Sequence, residues 1–209
     1  NRIENLKVVI DSILNQKLKK NVNLEVVISN SCSTDETPSF LKTLETNKQF
    51  HIHNKNEKIP NNTLSQFINF ENLSKKIPEH ADWVWWLGDD DKLVDNNSVQ
   101  CVVDTIMEND EDDLTFVHAC SARRSSKKKN KVIDSIFNLC QEYGYHEMLG
   151  WCSSIVMKGN AFKNILTSSS SNKNYKDDET QKAVSCYIHS ANILKNYHDK
   201  LGIFLDYPL

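Results

Sequence analysis

Asp89, Asp90 and Asp91 stand side by side in the sequence. Adjacent carboxylates repel one another unless a cation or hydrogen bonds compensate. A hard divalent cation with oxygen ligands is the natural compensation. Such an ion bridges two phosphates and stabilises the negative charge that gathers on a departing diphosphate. The first carboxylate of the three is placed to accept hydrogen bonds from a ribose, and the third to reach the ion. Most acidic triplets are solvated loops. This one differs in its launch: Trp83-Val84-Trp85-Trp86-Leu87-Gly88 reads as a buried strand running straight into the carboxylates.

The surrounding elements must hold that tip in place. Ile3, Leu6, Ile10, Ile13, Leu14 and Leu18 recur at helical spacing. Leu24 to Ile28 is an apolar, β-branched run that reads as a buried strand, ending at the polar cluster Ser29-Asn30-Ser31-Cys32-Ser33. Ser33 and Glu36 have capping-box spacing, and Pro38 fits a first helical turn. Phe40, Leu41 and Leu44 give that helix its apolar face. Phe50 to His53 alternates like a strand, and residues 63–76 read as a helix with Leu64, Phe67, Ile68 and Leu73 inward. Val99, Val102, Val103, Ile106 and Met107 mark the cleanest helix, followed by a strand from Leu114 to Ala119.

Strand and helix therefore alternate through residues 1–120. That order implies an α/β fold with a mostly parallel sheet and helices on both faces. Ligands in such sheets bind beyond the carboxyl ends of the strands. Both polar clusters, Ser29 to Asp35 and Asp89 to Asp91, are expected there. The second half is less regular. The basic run from Arg123 to Lys131 and the polar stretch from Ser168 to Glu179 read as loops. Ala183, Val184, Tyr187, Ile188, Ala191 and Leu194 share one helix face, and Gly202 to Tyr207 reads as a last strand.

A chain of 209 residues suits one large domain, or one domain with a small lobe. The net charge of −3 argues against a general nucleic-acid binder, which must neutralise many phosphates. No apolar run is long enough for a transmembrane helix, and the polar start, Asn1-Arg2-Ile3-Glu4-Asn5, does not read as a signal peptide. Cys32, Cys101, Cys120, Cys140, Cys152 and Cys186 are scattered, with no CxxC pair. That spacing argues against a zinc site or a disulfide framework and for reduced thiols in a cytoplasmic protein. Few glycines and prolines beside abundant Asn and Lys fit an AT-rich bacterial genome.

The segment Leu24-Glu25-Val26-Val27-Ile28-Ser29-Asn30-Ser31-Cys32-Ser33-Thr34-Asp35-Glu36-Thr37 resembles the second strand and following turn of family 2 glycosyltransferases. Trp83-Val84-Trp85-Trp86-Leu87-Gly88-Asp89-Asp90-Asp91-Lys92-Leu93 resembles their DXD strand, and Asn54-Lys55-Asn56 lies between in the family's order. The resemblance implies the GT-A fold, a Rossmann-like three-layer sandwich. It also implies transfer of a sugar from a nucleotide-diphosphate donor to an acceptor glycan or lipid-linked saccharide, with Mn²⁺ or Mg²⁺. Residues 1–120 would form the nucleotide-sugar half and residues 121–209 the acceptor half of one continuous domain. In the family the first strand ends just before an Asn-Arg pair, and this sequence opens on Asn1-Arg2, so that strand is expected to be missing from it.

The family's roles carry over residue by residue. Asp91 matches the metal-binding aspartate; Asp89 matches the one that meets the ribose, adjoining the metal; Asp90 lies between them in the donor site. Asn30 stands where the family usually has an aspartate contacting the base, and an amide can both donate and accept. Asp35 matches the aspartate of the family's STD signature, and its plain reading is a turn and helix cap. An inverting transferase needs a general base near the acceptor hydroxyl. The candidates are Asp178 and Glu179, with Asp177 beside them, although acids at a helix start also answer to the helix dipole. Trp151, after Gly150, resembles a Gly-Trp near the acceptor pocket; the plain alternative is a core tryptophan. His189 resembles a late metal-ligating histidine, against the plainer reading of a packed helix residue. Arg123 and Arg124 are suited to clamp a diphosphate, or to sit solvated within their basic run, which also suits anionic lipid.

These readings lead to a cytoplasmic transferase, peripheral at most on the inner face of the membrane, acting in bacterial surface polysaccharide or lipopolysaccharide synthesis. Two rivals stand beside it. A sugar-nucleotide pyrophosphorylase would share sheet, metal and nucleotide but normally shows a Gly-rich phosphate loop. A non-catalytic GT-A-like binding domain would tolerate the Asn30 departure.

Overall fold

A computed structural model of the chain describes residues 1–55, 63–109, 111–121, 130–171 and 187–206. The chain separates into two compact units. The first comprises Asn1–Ile3, Asn23–Asp82 and Gly159–Asn192, and the second Glu4–Val22, Trp83–Lys158 and Ile193–Leu209.

In the first unit, β1 (Val26–Ser31) and β2 (Phe50–Lys55) pair in parallel, from Val26 opposite Phe50 to Ser31 opposite Lys55. The helix α2 (Thr37–Leu44) makes the crossover that parallel strands require. Strand β1 runs past the apolar stretch and takes in Ser29, Asn30 and Ser31. Side-chain hydrogen bonds make this affordable: Ser29 Oγ donates to Asn69 Oδ1, and buried Asn30 donates to Asn54. The unit is completed by α3 (Thr63–Ser74), by α7 (Gly159–Ser171) and by the start of α8 (Ile188–Tyr197).

The expected capping box of α2 does not form, since Glu36 at the N-cap makes no side-chain capping bond. Asp35 takes that role. Its carboxylate accepts from the Thr37 N–H at 3.1 Å and from the Ile3 N–H at 3.2 Å, so one side chain caps two helix starts. Ser33 Oγ instead accepts from the Asn1 amino group at 3.3 Å.

The second unit contains α1 (Ile3–Leu14) almost entirely, with β3 (Trp83–Trp85), α4 (Ser98–Glu108), β4 (Leu114–Ala119) and β5 (Asn130–Ser135). It continues through α5 (Ile136–Tyr143), α6 (Tyr145–Leu149), a 3₁₀ turn (Cys152–Ser154), β6 (Ile155–Lys158) and β7 (Leu201–Asp206). The sheet order is β3-β6-β4-β7-β5. The pairing directions put β3, β4 and β7 in one sense and β6 and β5 in the other. Parallel pairing thus occurs at β1–β2 and β4–β7, while the strands reversed against the rest of their sheet come from the half where the alternation lapses.

All six residues of β4 are buried, as a central strand covered on both faces requires. Val102 and Ile106 of α4 form one core cluster with Leu114, Val117, Val156, Ile203 and Leu205, and Trp83 and Trp85 pack against it. Segment 83–88 is half-buried, less than its composition suggests, because β3 is an edge strand with one neighbour. Met107, expected inward, is 63 % exposed; Ser98, Val102, Thr105 and Ile106 form the buried face instead.

The first helix stops at Leu14, short of Leu18, because the following residues engage the segment before α4. Gln16 donates to Asp95 O at 2.6 Å and its Oε1 accepts the Val99 N–H at 2.9 Å, while the Lys17 N–H donates to Asn96 O at 2.7 Å. Two expected loops also differ. Residues 168–171 continue α7, and residues 130–131 open β5. In α8, Ile188, His189, Ser190, Asn192 and Ile193 are buried, whereas Ala191 is exposed, as is Tyr187 just before the helix; Ala183 and Val184 lie outside the described residues. Asn192 tolerates that burial by donating to Ile165 O at 3.1 Å.

Candidate functional site

The acidic tip is staked at both ends. Before it, the Trp86 N–H donates to Ile155 O at 3.0 Å, and the Gly88 N–H donates to Ser153 Oγ at 2.8 Å. After it, Leu93 is buried and its N–H donates to Ser12 Oγ at 3.3 Å. Between these anchors Asp89 is half-buried, and Asp90 and Asp91 are exposed. A β-carbon on Gly88 would lie 3.1 Å from Asp90 Oδ1, 3.2 Å from Asp91 Oδ2 and 3.2 Å from Ser153 Oγ. Glycine there lets the carboxylates fold back over the strand end.

Ser153 is the residue that sequence reading missed. Its hydroxyl donates to Asp91 Oδ2 at 2.6 Å while accepting from Gly88, and its carbonyl accepts from Trp85 Nε1 at 2.8 Å. A serine in the pair Ser153-Ser154 carries no periodic signal. Only the antiparallel pairing of β6 with β3 brings it to the tip.

The same 3₁₀ turn begins beside Trp151. That ring is 48 % exposed, which sets aside the core-tryptophan reading, and it meets His146 edge-on with ring centroids 5.5 Å apart. Gly150 makes this possible: a β-carbon there would fall 2.5 Å from His146 O. Next to Trp151, burial pushes the Cys152 thiol up to about 11, with the Asp91 charge adding to the effect. That thiol stays protonated at neutral pH and is no nucleophile.

Asn30 and Asp35 belong to the first unit. Asn30 is buried; its Nδ2 donates to Asn54 Oδ1 at 2.8 Å and its Oδ1 accepts the Ser33 N–H at 3.3 Å. Thr37 first, and the Ile3 N–H after it, hold the Asp35 carboxyl below the usual carboxylate range by hydrogen bonding. The structure thus gives Asp35 the contacts of a turn and helix cap. His189 is buried at the start of α8. Asp177, Asp178, Glu179, Arg123 and Arg124 lie outside the described residues.

A hard divalent cation suits the tip, where carboxylate oxygens of Asp90 and Asp91 reach solvent. Among the described residues, no three His, Cys, Asp or Glu side chains form a ready-made cage. Mg²⁺-type sites commonly use one or two carboxylates and complete their shell with substrate phosphates and water. Among the described residues no helix is long and apolar enough to cross a membrane.

Comparison with known proteins fits this geometry. The family model described as Glycosyl transferase family 2 matches residues 1–166. No curated protein matches the chain by sequence. Among solved structures, S. aureus TarS 1-349 in complex with UDP superposes with a TM-score of 0.57 at 14% identity, covering 99% of this chain and 55% of that one. S. aureus TarS 1-349 without that ligand in its description gives 0.58 at 14% identity over the same shares. S. aureus TarS itself gives 0.59 at 13% identity, over 100% of this chain and 35% of that one. The chain therefore spans about half of the TarS 1-349 structures and about a third of the longer one.

Proposed function

This chain belongs to glycosyl transferase family 2, and we propose that it moves a sugar from a nucleotide-diphosphate donor to a hydroxyl of an acceptor glycan or lipid-linked saccharide. The observation that carries this reading is the solvent-facing carboxylate tip, pinned on both sides and braced by Ser153. In this reading Asp91 and Asp89 hold Mn²⁺ or Mg²⁺, which neutralises charge on the departing nucleoside diphosphate when bound. Asp89 also orients the ribose, Asp90 lines the donor site, and Asn30 meets the base.

The acceptor oxygen attacks the anomeric carbon as the bond to the diphosphate oxygen breaks, inverting that centre. The acceptor proton passes to a carboxylate, Asp178 or Glu179. Trp151 offers an exposed aromatic face for an acceptor sugar ring. Residues 1–120 supply the donor side and residues 121–209 the acceptor side. The role fits bacterial surface polysaccharide or lipopolysaccharide synthesis at the cytoplasmic side of the membrane.

Isothermal titration of the chain with UDP, with and without Mn²⁺, tests the donor assignment. UDP comes first because it is the nucleotide named with the TarS 1-349 structure. Metal-dependent binding, followed by release of UDP from a UDP-sugar in the presence of acceptor, is expected. Metal-dependent binding without any transfer would favour a non-catalytic domain. Indifference to every nucleoside diphosphate in the presence of metal would overturn the proposal.

A further inference from the structure

We propose that Ser153 is a positioning residue that holds the Asp91 carboxylate in one orientation and thereby favours small octahedral cations over Ca²⁺. The inference rests on the donor-site reading above and concerns what the tip selects.

A hydroxyl has one proton and two acceptor lone pairs. Ser153 gives its proton to Asp91 Oδ2 at 2.6 Å and uses a lone pair for the Gly88 N–H at 2.8 Å. The serine is held in turn by Trp85, whose indole N–H donates to the Ser153 carbonyl at 2.8 Å. Donor and acceptor bonds together fix the hydroxyl rotor, so one acceptor site of Oδ2 is taken and the Asp91 carboxylate is held in one orientation. The lack of a β-carbon on Gly88 permits the close approach, since one would sit about as near to Oδ2 as to Ser153 Oγ.

This arrangement discriminates by coordination. Ca²⁺ takes many oxygens at long, flexible distances and accepts carboxylates through one oxygen or two, whereas Mg²⁺ demands short, near-octahedral ligation. A carboxylate held in one orientation helps the cation with strict geometric demands more than the one that adapts its shell. Partners that orient a ligand in this way change metal affinity by about 10- to 100-fold when removed.

The test uses the whole 209-residue chain with Mn²⁺ as a paramagnetic probe, alone and with UDP. Free and bound Mn²⁺ are separated by electron paramagnetic resonance, and Ca²⁺ is titrated as competitor. Ser153→Ala should weaken Mn²⁺ binding about tenfold and narrow the Mn²⁺ to Ca²⁺ preference. Ser153→Thr should restore both. Trp85→Phe, which keeps the hydroxyl but frees the Ser153 carbonyl, should weaken Mn²⁺ by about threefold, the size of one ordinary hydrogen bond. Circular dichroism melts keep a folding defect apart from a binding defect, and the Trp85→Phe arm remains informative if Ser153→Ala is unstable. Wild-type affinity and preference in folded Ser153→Ala or in Trp85→Phe would overturn the positioning role alone. A wild type that binds no Mn²⁺ with nucleotide, matching Asp91→Ala, would overturn the donor site and this inference together.

Discussion

Asn30 Nδ2 and Asn54 Oδ1 meet at 2.8 Å between directly paired residues of β1 and β2. Asn54 spends its own amide on Pro38 O at 3.2 Å, so the pair also ties the sheet to the first turn of α2. An aspartate at position 30 would set a carboxylate against the Asn54 carbonyl oxygen. Relief would require Asn54 to turn and abandon Pro38. Asn30→Asp is therefore expected to destabilise the fold by about 1–3 kcal/mol, the cost of an unsatisfied buried polar group. Urea denaturation would measure it. The proposed base contact predicts a second effect, a changed ranking of UDP, GDP and CDP in binding competition. Unchanged stability would show that the pair bears no load.

Asp91 is exposed and tied to the protein through Ser153 Oγ. Asp91→Ala should leave the melting temperature within about 2 °C, since exposed sites away from packing features change stability by only a few tenths of a kcal/mol. Metal-dependent UDP binding and sugar transfer should be lost. A variant that turns over donor at the wild-type rate would remove Asp91 from the mechanism.

Trp151 tests the acceptor side. Its ring is half-exposed and its described ring partner is His146. Trp151→Ala should cost little stability and raise the acceptor KM by about tenfold, with donor KM unchanged, since a stacked aromatic contributes roughly 1 kcal/mol or more beyond its area. A rise in donor KM alone would move the tryptophan out of the acceptor site.

The general base has the plainest kinetic signature. Removing a proton acceptor typically lowers turnover by about 10² to 10⁴ while leaving ground-state binding intact. Asp178→Asn and Glu179→Gln, measured separately by product formation, should differ: one is expected to fall into that range with donor affinity preserved. Wild-type kcat in both would place the base elsewhere.

Much of this architecture was legible because it rests on local signals. The apolar run ending near Asn30 and the run of tryptophans before Asp89 each named a strand and the polar residues at its end. The element from Leu114 to Ala119 was readable to the residue because a central strand is apolar throughout. What stayed hidden depends on distant partners. Ser153 has no pattern of its own, and only the pairing of β3 with β6 gives it a role. The early end of α1 was hidden for the same reason: the bonds that draw residues 15–19 away lie near residues 95–104. Buried polar residues in α8 broke the apolar periodicity because Asn192 finds a carbonyl 27 residues earlier in the sequence, in α7, information no local window contains.

Glu25 sits between two histidines, with His80 Nε2 at 2.7 Å from Oε1 and His51 Nε2 against Oε2. Hydrogen bonds from His80 first and His51 second hold its carboxyl below the ordinary value of 4.5. A carboxylate with a lowered folded-state pKa contributes its stability in full above the unfolded value and loses it as pH falls through the folded one. The stabilisation is therefore present at neutral pH and disappears on acidification below 4.5. His80 is 72% exposed and the cluster is only partly buried, so the contribution is modest, roughly 1 kcal/mol or less. Glu25→Gln should lower the urea midpoint at about pH 6 and approach wild type at about pH 3, with His51→Ala and His80→Ala each showing part of that convergence. A gap between wild type and Glu25→Gln that stayed constant across this range would mean that the residue contributes through packing and not through its charge.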